Sequence, residues 1–312
     1  MERSAEAFAP AAISNFFTIS GPELDRLTPE SDLHHVGATG GGYMLSRGVR
    51  TRVTLKESPG AAKVEEIVVD GDPAYEARTT RTAAELLLRD AGVSDCSIRI
   101  EQKMEVPVGR GFGASAASAL SSVNALAAAL GLKMPPAQVA YFAHAADILC
   151  RTGLGTVSVT YRYGGAGIIV RPGAPGAAEV REVHVPPGAR IVTASLAPFR
   201  KSVILSSREA RDRVNKLGEQ ALRNASALTL ESLVRAGEEF SRELGLQSPD
   251  VSRLIFLARS SGAMGASQNM VGHAVHAVAW DEDAERVASA LRSDQSRPVV
   301  SVYGFASGSA RR

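Results

Sequence analysis

The stretch PVGRGFGASAASAL, residues 107–120, decides the fold of this chain. It follows a run, starting at Ile98, in which apolar and charged residues alternate as in a half-buried strand. After it comes an Ala- and Leu-rich run that ends near Gly131 and predicts a helix. The glycines between strand and helix let the backbone approach a phosphate, and the first free N–H groups of the helix point at it. The stretch therefore predicts a nucleotide-phosphate loop.

Two common kinds of phosphate loop are excluded. The stretch lacks the Gly-Lys-Ser/Thr ending of a Walker loop, and no acidic residue follows at the spacing of a dinucleotide-binding unit. The alternative is a tight turn with an Ala-rich helix packed closely on a sheet. The complete string, however, resembles the second motif of the GHMP kinases, Pro-x-Gly-x-Gly-(Leu/Phe)-Gly-(Ser/Ala)-Ser-Ala-Ala. The matching residues are Pro107, Gly109, Gly111, Phe112, Gly113, Ala114, Ser115, Ala116 and Ala117.

The composition indicates a globular protein of one large or two medium domains, since the chain has 312 residues with 45% hydrophobic and 22% charged. The net charge is +2 and there is no basic block, so nucleic acid is not an expected partner. Cys96 and Cys150 have no metal-ligand spacing and fit reduced thiols. No signal-peptide pattern or membrane-length apolar run is found. We therefore expect a cytoplasmic protein without a membrane partner.

The first half is predicted to be rich in strands. A short strand at 5–9 ends at Pro10, and Gly40-Gly41-Gly42 forms a turn that leads into a strand pair. A further strand is expected at 63–70, with helices at 75–91 and 136–151. Residues 152–176 predict a glycine turn, a strand, a second glycine turn and another strand.

The second half is predicted to combine strands and helices. The expected helices lie at 207–222, 228–244, 251–260 and 282–292, and the expected strands start near 189, 273 and 298. Such an order indicates an α+β unit with an open sheet. The resemblance to the GHMP kinases implies their α+β fold, in which two halves enclose the active-site cleft. We expect a phosphate-loop domain at 1–180 and a second α+β domain at 181–312.

Further strings resemble the archaeal pantoate kinase family along nearly the full length. They include AFAPAAISNFF, GATGGGYMLSRGV, AHAADILCRTGLGTVSV and GAMGASQNMVGHAVHAV. The resemblance implies transfer of the ATP γ-phosphate to the 4-hydroxyl of pantoate, giving 4-phosphopantoate for coenzyme A biosynthesis. It also implies ATP and Mg²⁺ as cofactors and a homodimer.

The chain departs from that family at the position of a catalytic carboxylate. The family usually reads Thr-Gly-Leu-Gly-Asp, where the Asp orients the substrate hydroxyl or takes its proton, and this chain has Thr156. Threonine is not a base at neutral pH. Phosphoryl transfer can proceed without one, because its loose transition state needs mainly alignment and neutralised charge. Two alternatives stay open: a kinase of another small hydroxy acid, such as mevalonate or a mevalonate phosphate, or a nucleotide-binding homologue without catalysis.

The resemblance also suggests site residues. Ser115 would bind Mg²⁺ or a phosphate oxygen, and Asp147, where relatives have a metal-binding Glu, would be the second Mg²⁺ ligand. Lys201, or its neighbour Arg200, would neutralise the transferred group. Gly41, Ser46 and Arg47 would meet the substrate, with the arginine on its carboxylate. Each of these residues has a structural alternative. Ser115 could be a helix-capping hydroxyl and Asp147 a solvent-facing carboxylate. Lys201 and Arg200 could be a solvated basic pair, and Arg47 an exposed strand arginine.

Overall fold

The structure, a computed structural model, describes residues 2–20, 26–197, 208–270 and 272–310. Ten strands and eight helices are found in this part of the chain. In chain order they are β1 (Arg3–Phe17), β2 (Gly40–Ala61), β3 (Lys63–Val69), α1 (Arg78–Asp90), β4 (Ser94–Met104), α2 (Ala114–Leu130), α3 (Pro136–Leu149), α4 (Thr156–Thr160), β5 (Ala166–Arg171), β6 (Glu179–Val183), β7 (Ala189–Ser195), α5 (Arg208–Asn224), α6 (Leu230–Leu244), α7 (Pro249–Ser260), β8 (Gly265–Gln268), β9 (Ala274–Trp280), α8 (Asp281–Arg292) and β10 (Val299–Tyr303). Within the described residues, no helix is long and apolar enough to cross a bilayer.

The first sheet is built around the long strand β2. The order is β3-β4-β2-β5-β6, and β1 runs antiparallel along the other edge of β2. The helices α1, α2 and α3 share one apolar core with this sheet, in which Leu87, Val123 and Val139 are fully buried. Helix α2 is buried on nearly all sides, because it lies in the middle of this layer, between α1, α3 and the strands.

The second sheet has the order β10-β7-β9-β8, and α7 and α8 pack on it through a second core. A third cluster joins the two sheets. Ile13 and Phe16 of β1 and Ile191 of β7 are buried in it together with Leu233 and Phe240 of α6. The described chain is thus an α+β protein, as expected, and the first strand lies where its two sheets meet.

Three local predictions are wrong. The strand β1 does not end at Pro10, because among the described strands it is hydrogen-bonded to β2 alone, and an edge strand with a register shift tolerates a missing N–H. The triple glycine is not a turn but the start of β2, held between β1 and β5. A side chain at Gly42 would approach the Ile13 carbonyl to 2.2 Å, so glycine is needed for close strand contact rather than for turning.

The third wrong prediction is the strand expected after Gly155. Residues Thr156–Thr160 form the short helix α4, although every residue of it except Ser158 is β-branched and favours a strand. Burial of Val157 in the core of the first sheet outweighs the local preference for strand. A hydrogen bond of 3.0 Å from the Thr160 hydroxyl to the Thr156 carbonyl oxygen closes the turn.

The expected division of the chain after residue 180 falls within β6, which completes the first sheet. The four-stranded sheet begins with β7. The division into two domains at this position stays a prediction.

The segment after β10 returns to the first sheet. Ala306 donates to the Met44 carbonyl at 2.8 Å and accepts from the Gly165 amide at 2.8 Å. Four residues later, the Ala310 amide donates to the carbonyl oxygen of Thr160 at 3.0 Å, at the end of α4. We call residues 304–310 the C-terminal segment; it connects the second sheet to the helix that begins at Thr156.

Candidate active site

A cleft of about 1610 Å³ opens beside the phosphate loop and is lined by both halves of the chain. Its walls come from segments within 12–19, 38–44, 75–80, 108–115 and 151–156, together with Arg211, Asp212 and Met270. The first turns of α1 and α2 both face it. The cleft therefore contains the predicted nucleotide-phosphate loop and is large enough for a nucleotide and a small acceptor.

The phosphate loop has the backbone conformation that its glycines suggest. Gly109, Gly111 and Gly113 have φ values of 71°, 78° and 61°, in the left-handed region that favours glycine. At Gly113 a Cβ atom would lie 2.9 Å from the Ala12 carbonyl oxygen and 3.2 Å from the methyl group of Thr156. The loop is therefore pressed against β1 on one side and against the start of α4 on the other.

The start of α2 is built to receive an anion. No side chain caps this helix, and its first turn carries no acidic residue. Ala114 and Ser115 line the cleft at this turn. Unpaired N–H groups and the positive end of the helix dipole are thus directed at the cleft, which is the arrangement that binds phosphate oxygens.

Asp147 lies behind Ser115 and is buried, not solvent-facing. Its side chain is on α3, and its Oδ1 accepts hydrogen bonds from the Ser115 hydroxyl at 3.3 Å and from the Thr152 hydroxyl at 2.6 Å. Burial raises the pKa of this carboxyl to about 6, and the two hydroxyl donors oppose that rise. Gly153 is pressed on the same group, since a Cβ there would lie 2.1 Å from Oδ2.

The donor set of Ser115 and Asp147 fits Mg²⁺. Among the described residues, no Lys, Arg or His is found among the groups that shift the pKa of Asp147. A buried carboxylate of this kind needs a cation for full compensation. One carboxylate and one hydroxyl are an incomplete set, of the kind from which Mg²⁺ is bound together with waters and nucleotide phosphates. No group of three or more His, Cys, Asp or Glu able to hold a metal ion occurs in the described part of the chain.

Thr156 lines the cleft at the start of α4, directly beside Gly113. No carboxylate lies at this position. The Asp and Glu residues that line the cleft, within the described residues, are Glu76 and Asp212, and both are exposed. The described part of the cleft lining therefore contains no buried Asp or Glu.

Only some of the other predicted site residues line the cleft. The loop residues 109 and 111–115 and the substrate candidate Gly41 line the cleft, whereas Pro107 and the buried Ala116 do not. Ser46 and Arg47 do not line it either: Ser46 bonds to the Gly304 amide, and Arg47 approaches Glu105 at 3.8 Å. Contact of these two residues with the substrate is thus not supported. Lys201 and Arg200 lie outside the described residues.

Two contacts near the site are not evident from the sequence pattern. The hydroxyl group of Thr152 donates to Asp147, although the sequence marks Thr152 only as part of a matching string. Gln102 is buried and donates to the Ser118 carbonyl and the Ser122 hydroxyl of α2, both at 3.0 Å, while it accepts from Thr80 of α1. The sequence does indicate the unusual position of Gln102, because this polar residue lies on the same, inward-facing side of the strand as Ile98 and Ile100.

Comparison with known proteins agrees with this geometry. Residues 78–161, which include the phosphate loop, Asp147 and Thr156, match the protein family described as GHMP kinases N terminal domain. The chain resembles the GHMP kinases over this segment. It is therefore a small-molecule kinase, and the resemblance and the fold class expected from the motifs are confirmed.

Two relatives of this chain are named after different acceptors. A protein of Methanospirillum hungatei named "Pantoate kinase" is 27% identical over 274 residues, covering 87% of this chain and 86% of the relative. A protein of Pyrococcus furiosus named "Mevalonate kinase" is 25% identical over 244 residues, covering 70% and 71%.

Solved structures share the fold. One described as "Phosphotransferase related to CoA biosynthesis pathway" has a TM-score of 0.84 at 22% identity, covering 98% of this chain and 97% of that chain. Another, "MDDEF in complex with MVAPP, AMPPCP and Magnesium", has a TM-score of 0.72 at 13% identity, covering 99% and 98%.

Proposed function

We propose that this kinase transfers the γ-phosphoryl group of ATP to the 4-hydroxyl of pantoate, giving 4-phosphopantoate and ADP. The observation that carries the proposal is the pairing of the Ser115 hydroxyl with the buried Asp147 carboxylate, 3.3 Å apart, at the first turn of α2. This pair adjoins the uncapped helix end on one side and the cleft on the other.

Each part of the site has a role in this reaction. The amides of residues 111–115 and the dipole of α2 would bind the β- and γ-phosphates. Ser115 and Asp147 would hold Mg²⁺, whose charge, when it is bound, offsets the negative charge on the phosphates. In-line transfer then needs the acceptor hydroxyl beside the γ-phosphate, and Thr156, which lies next to Gly113, would be close to it.

Thr156 would position the acceptor rather than take its proton. Its hydroxyl is able to donate to, or accept from, the acceptor hydroxyl, but it does not remove a proton at neutral pH. In the loose transition state of phosphoryl transfer the bond to the incoming oxygen is barely formed, so the acceptor hydroxyl keeps its proton until late and then loses it to water or to an oxygen of the transferred phosphoryl group. Transfer with alignment alone is therefore consistent with this site.

The acceptor is a hydroxy acid in our proposal because the cleft offers a cation to a carboxylate. Arg78, the first residue of α1, lines it. An arginine binds a carboxylate through two parallel N–H groups. Pantoate is preferred to mevalonate because the relatives named pantoate kinase match over more of the chain than those named mevalonate kinase.

The deciding experiment is ADP release from Mg·ATP with pantoate, mevalonate or mevalonate 3-phosphate in separate reactions. We expect release above the no-acceptor blank with pantoate, and its loss in Ser115→Ala and Asp147→Ala. Release with a mevalonate compound alone would overturn the acceptor and keep the kinase. ATP binding without release in any reaction would favour the non-catalytic alternative. The cytoplasmic location and the homodimer stay predictions; light scattering of the purified protein tests the latter.

A further inference from the structure

The turn between β8 and β9 is pressed against the phosphate loop from the second half of the chain. Asn269 in this turn is fully buried, and a Cβ atom at Gly111 would lie 2.9 Å from the Cβ of Asn269. A Cβ atom at Gly272 would lie 2.2 Å from the carbonyl oxygen of Arg110 and 2.5 Å from the Gly111 nitrogen. The peptide between Arg110 and Gly111 therefore has the second half of the chain directly against it.

A line of side-chain hydrogen bonds ends on that peptide. Asn269 Nδ2 donates to the Arg110 carbonyl oxygen at 3.4 Å, and Asn269 Oδ1 lies 2.9 Å from His276 Nδ1. His276 Nε2 in turn lies 3.0 Å from the hydroxyl oxygen of Ser267. Ser267 and His276 are both 2% exposed, so water does not compete for these bonds.

The chemistry of the groups fixes the direction of every bond. A backbone carbonyl only accepts, so the amide nitrogen of Asn269 faces Arg110 and its oxygen faces His276. The histidine must then carry its proton on Nδ1, and its Nε2 accepts from the Ser267 hydroxyl. Burial lowers the pKa of His276 to about 3, so the ring stays neutral and keeps this tautomer at physiological pH.

We propose that Asn269, oriented by His276 and Ser267, is a positioning residue that fixes the peptide of the phosphate loop between Arg110 and Gly111. In a trans peptide the C=O and the following N–H point in opposite directions. The bond to the Arg110 carbonyl therefore directs the Gly111 N–H away from the β8–β9 turn. Gly111 lines the cleft, where that N–H is offered to a phosphate.

Such a constraint is needed at this peptide in particular. Glycine adopts left- and right-handed conformations with little difference in energy, so the peptide before Gly111 rotates easily when nothing holds it. A rotated peptide would present the Arg110 carbonyl, not an N–H, to an anion. This inference rests on the proposed function only in taking the anion to be the phosphates of ATP.

The test compares two amide-to-acid variants that differ in their bonding partner. Asn269→Asp removes the donor to the phosphate loop and places a negative charge behind it. Gln268→Glu makes the same change one residue earlier, at a buried side chain that donates to the Gly272 carbonyl at 3.0 Å and not to the loop. We expect the dissociation constant for Mg·ATP to rise about tenfold or more in Asn269→Asp and much less in Gln268→Glu.

Two changes at His276 separate orientation of Asn269 from general stability. In His276→Asn, the amide nitrogen of the new side chain takes the position of Nδ1 and still donates to Asn269. In His276→Gln, the amide nitrogen takes the position of Nε2, so only the contact with Ser267 is kept. We expect the first variant to bind Mg·ATP like the unaltered protein and the second to bind it about tenfold more weakly. Thermal unfolding of both, measured alongside, shows whether they are equally folded.

The outcomes for this inference and for the proposed function are distinct. If the unaltered protein binds no ATP, the proposed function fails. If it binds ATP and Asn269→Asp binds it equally well, only the positioning role of Asn269 fails. Equal weakening in the two histidine variants would likewise exclude the orientation of Asn269 through Nδ1.

Discussion

The hydroxyl group of Thr152 donates to Asp147 Oδ1 at 2.6 Å, the shortest contact made by the buried carboxylate. Because that hydrogen is used, the 3.1 Å contact between Thr79 and Thr152 has Thr79 as its donor. The first turn of α1, the segment after α3 and the phosphate loop are thus linked through one carboxyl group. Because α1 and the phosphate loop both line the cleft, this carboxyl group connects two parts of its wall.

Replacing Thr152 with valine tests this link. The hydroxyl lowers the pKa of Asp147, so its removal raises that pKa further above 6 and leaves less carboxylate at neutral pH. We expect Thr152→Val to need about tenfold more Mg²⁺ for half-maximal ADP release at pH 6.5, and less of an increase at pH 8.5. Thr152→Ser retains the donor and serves as the control. An unchanged Mg²⁺ requirement in the valine variant at both pH values would contradict the role of Thr152.

Asp147 also predicts a pH dependence of stability without nucleotide. Its folded pKa of about 6 lies above the ordinary value of 3.8, so the fold prefers the protonated form. The carboxyl contributes its full stability below the ordinary pKa and loses it as the pH rises through 6, by no more than about 3 kcal/mol. Asp147→Asn stays neutral, and urea unfolding should find it more stable than the unaltered protein at pH 8. At pH 4 the two should be similar; a difference that does not vary with pH would exclude this assignment.

Two glycines of the phosphate loop separate folding from ligand binding. Both Gly113→Ala and Gly109→Ala place a side chain at positive φ, which costs about 1 kcal/mol or slightly more. At Gly113 the new methyl group also meets the Ala12 carbonyl, whereas at Gly109 nothing lies within 4 Å. We therefore expect Gly113→Ala to lower the denaturation midpoint clearly more than Gly109→Ala.

For Gly109→Ala we expect the larger effect on ligand binding rather than on stability. Gly109 lines the cleft, and the open space beside it is where phosphates would lie. We expect Gly109→Ala to weaken Mg·ATP binding by more than its small effect on stability suggests. Titration with Mg·ATP and chemical unfolding of the same two proteins check both statements, and equal losses of stability would contradict the tight packing at Gly113.

Thr156→Asp tests whether the chain has adapted to a missing base. The new carboxylate would stand beside Gly113 and close to the expected γ-phosphate, where it adds negative charge to the site as well as a proton acceptor. If transfer relies on alignment, we expect ADP release in the presence of pantoate to change by less than about tenfold. Thr156→Asn, of the same size and without charge, is the control. A gain of several orders of magnitude only in the aspartate variant would show that the unaltered chain lacks an essential base.

The phosphate loop was predictable because its information is local. Three glycines at fixed spacing, followed by a long Ala-rich helix, require a particular backbone, and the structure has it from Gly109 to Ser115. Helix α4 was not predictable in the same way. Its sequence favours a strand, and what forms it is the burial of Val157 and the bond from Ala310, which lies more than a hundred residues away.

The positions of Ser46 and Arg47 away from the cleft also depend on long-range structure. If the triple glycine had formed a turn, Ser46 and Arg47 would have followed it beside the ligand. Because β2 is extended through the glycines, Ser46 is carried roughly 16 Å along the strand from Gly41. The burial of Asp147 was equally undecidable, since α3 is apolar on most of its surface and no face of it is marked as solvent-exposed.

The C-terminal segment has a practical consequence for the experiments above. Its hydrogen bonds reach α4 through Thr160, and α4 starts with Thr156 in the cleft. We expect an affinity tag fused after residue 312 to disturb the contact between the C-terminal segment and α4, and so to alter turnover without contacting the nucleotide. A tag placed before β1, whose first residues Arg3 and Ser4 are exposed at a sheet edge, avoids that route. Kinetic comparisons among variants should therefore use a tag at the amino-terminal end.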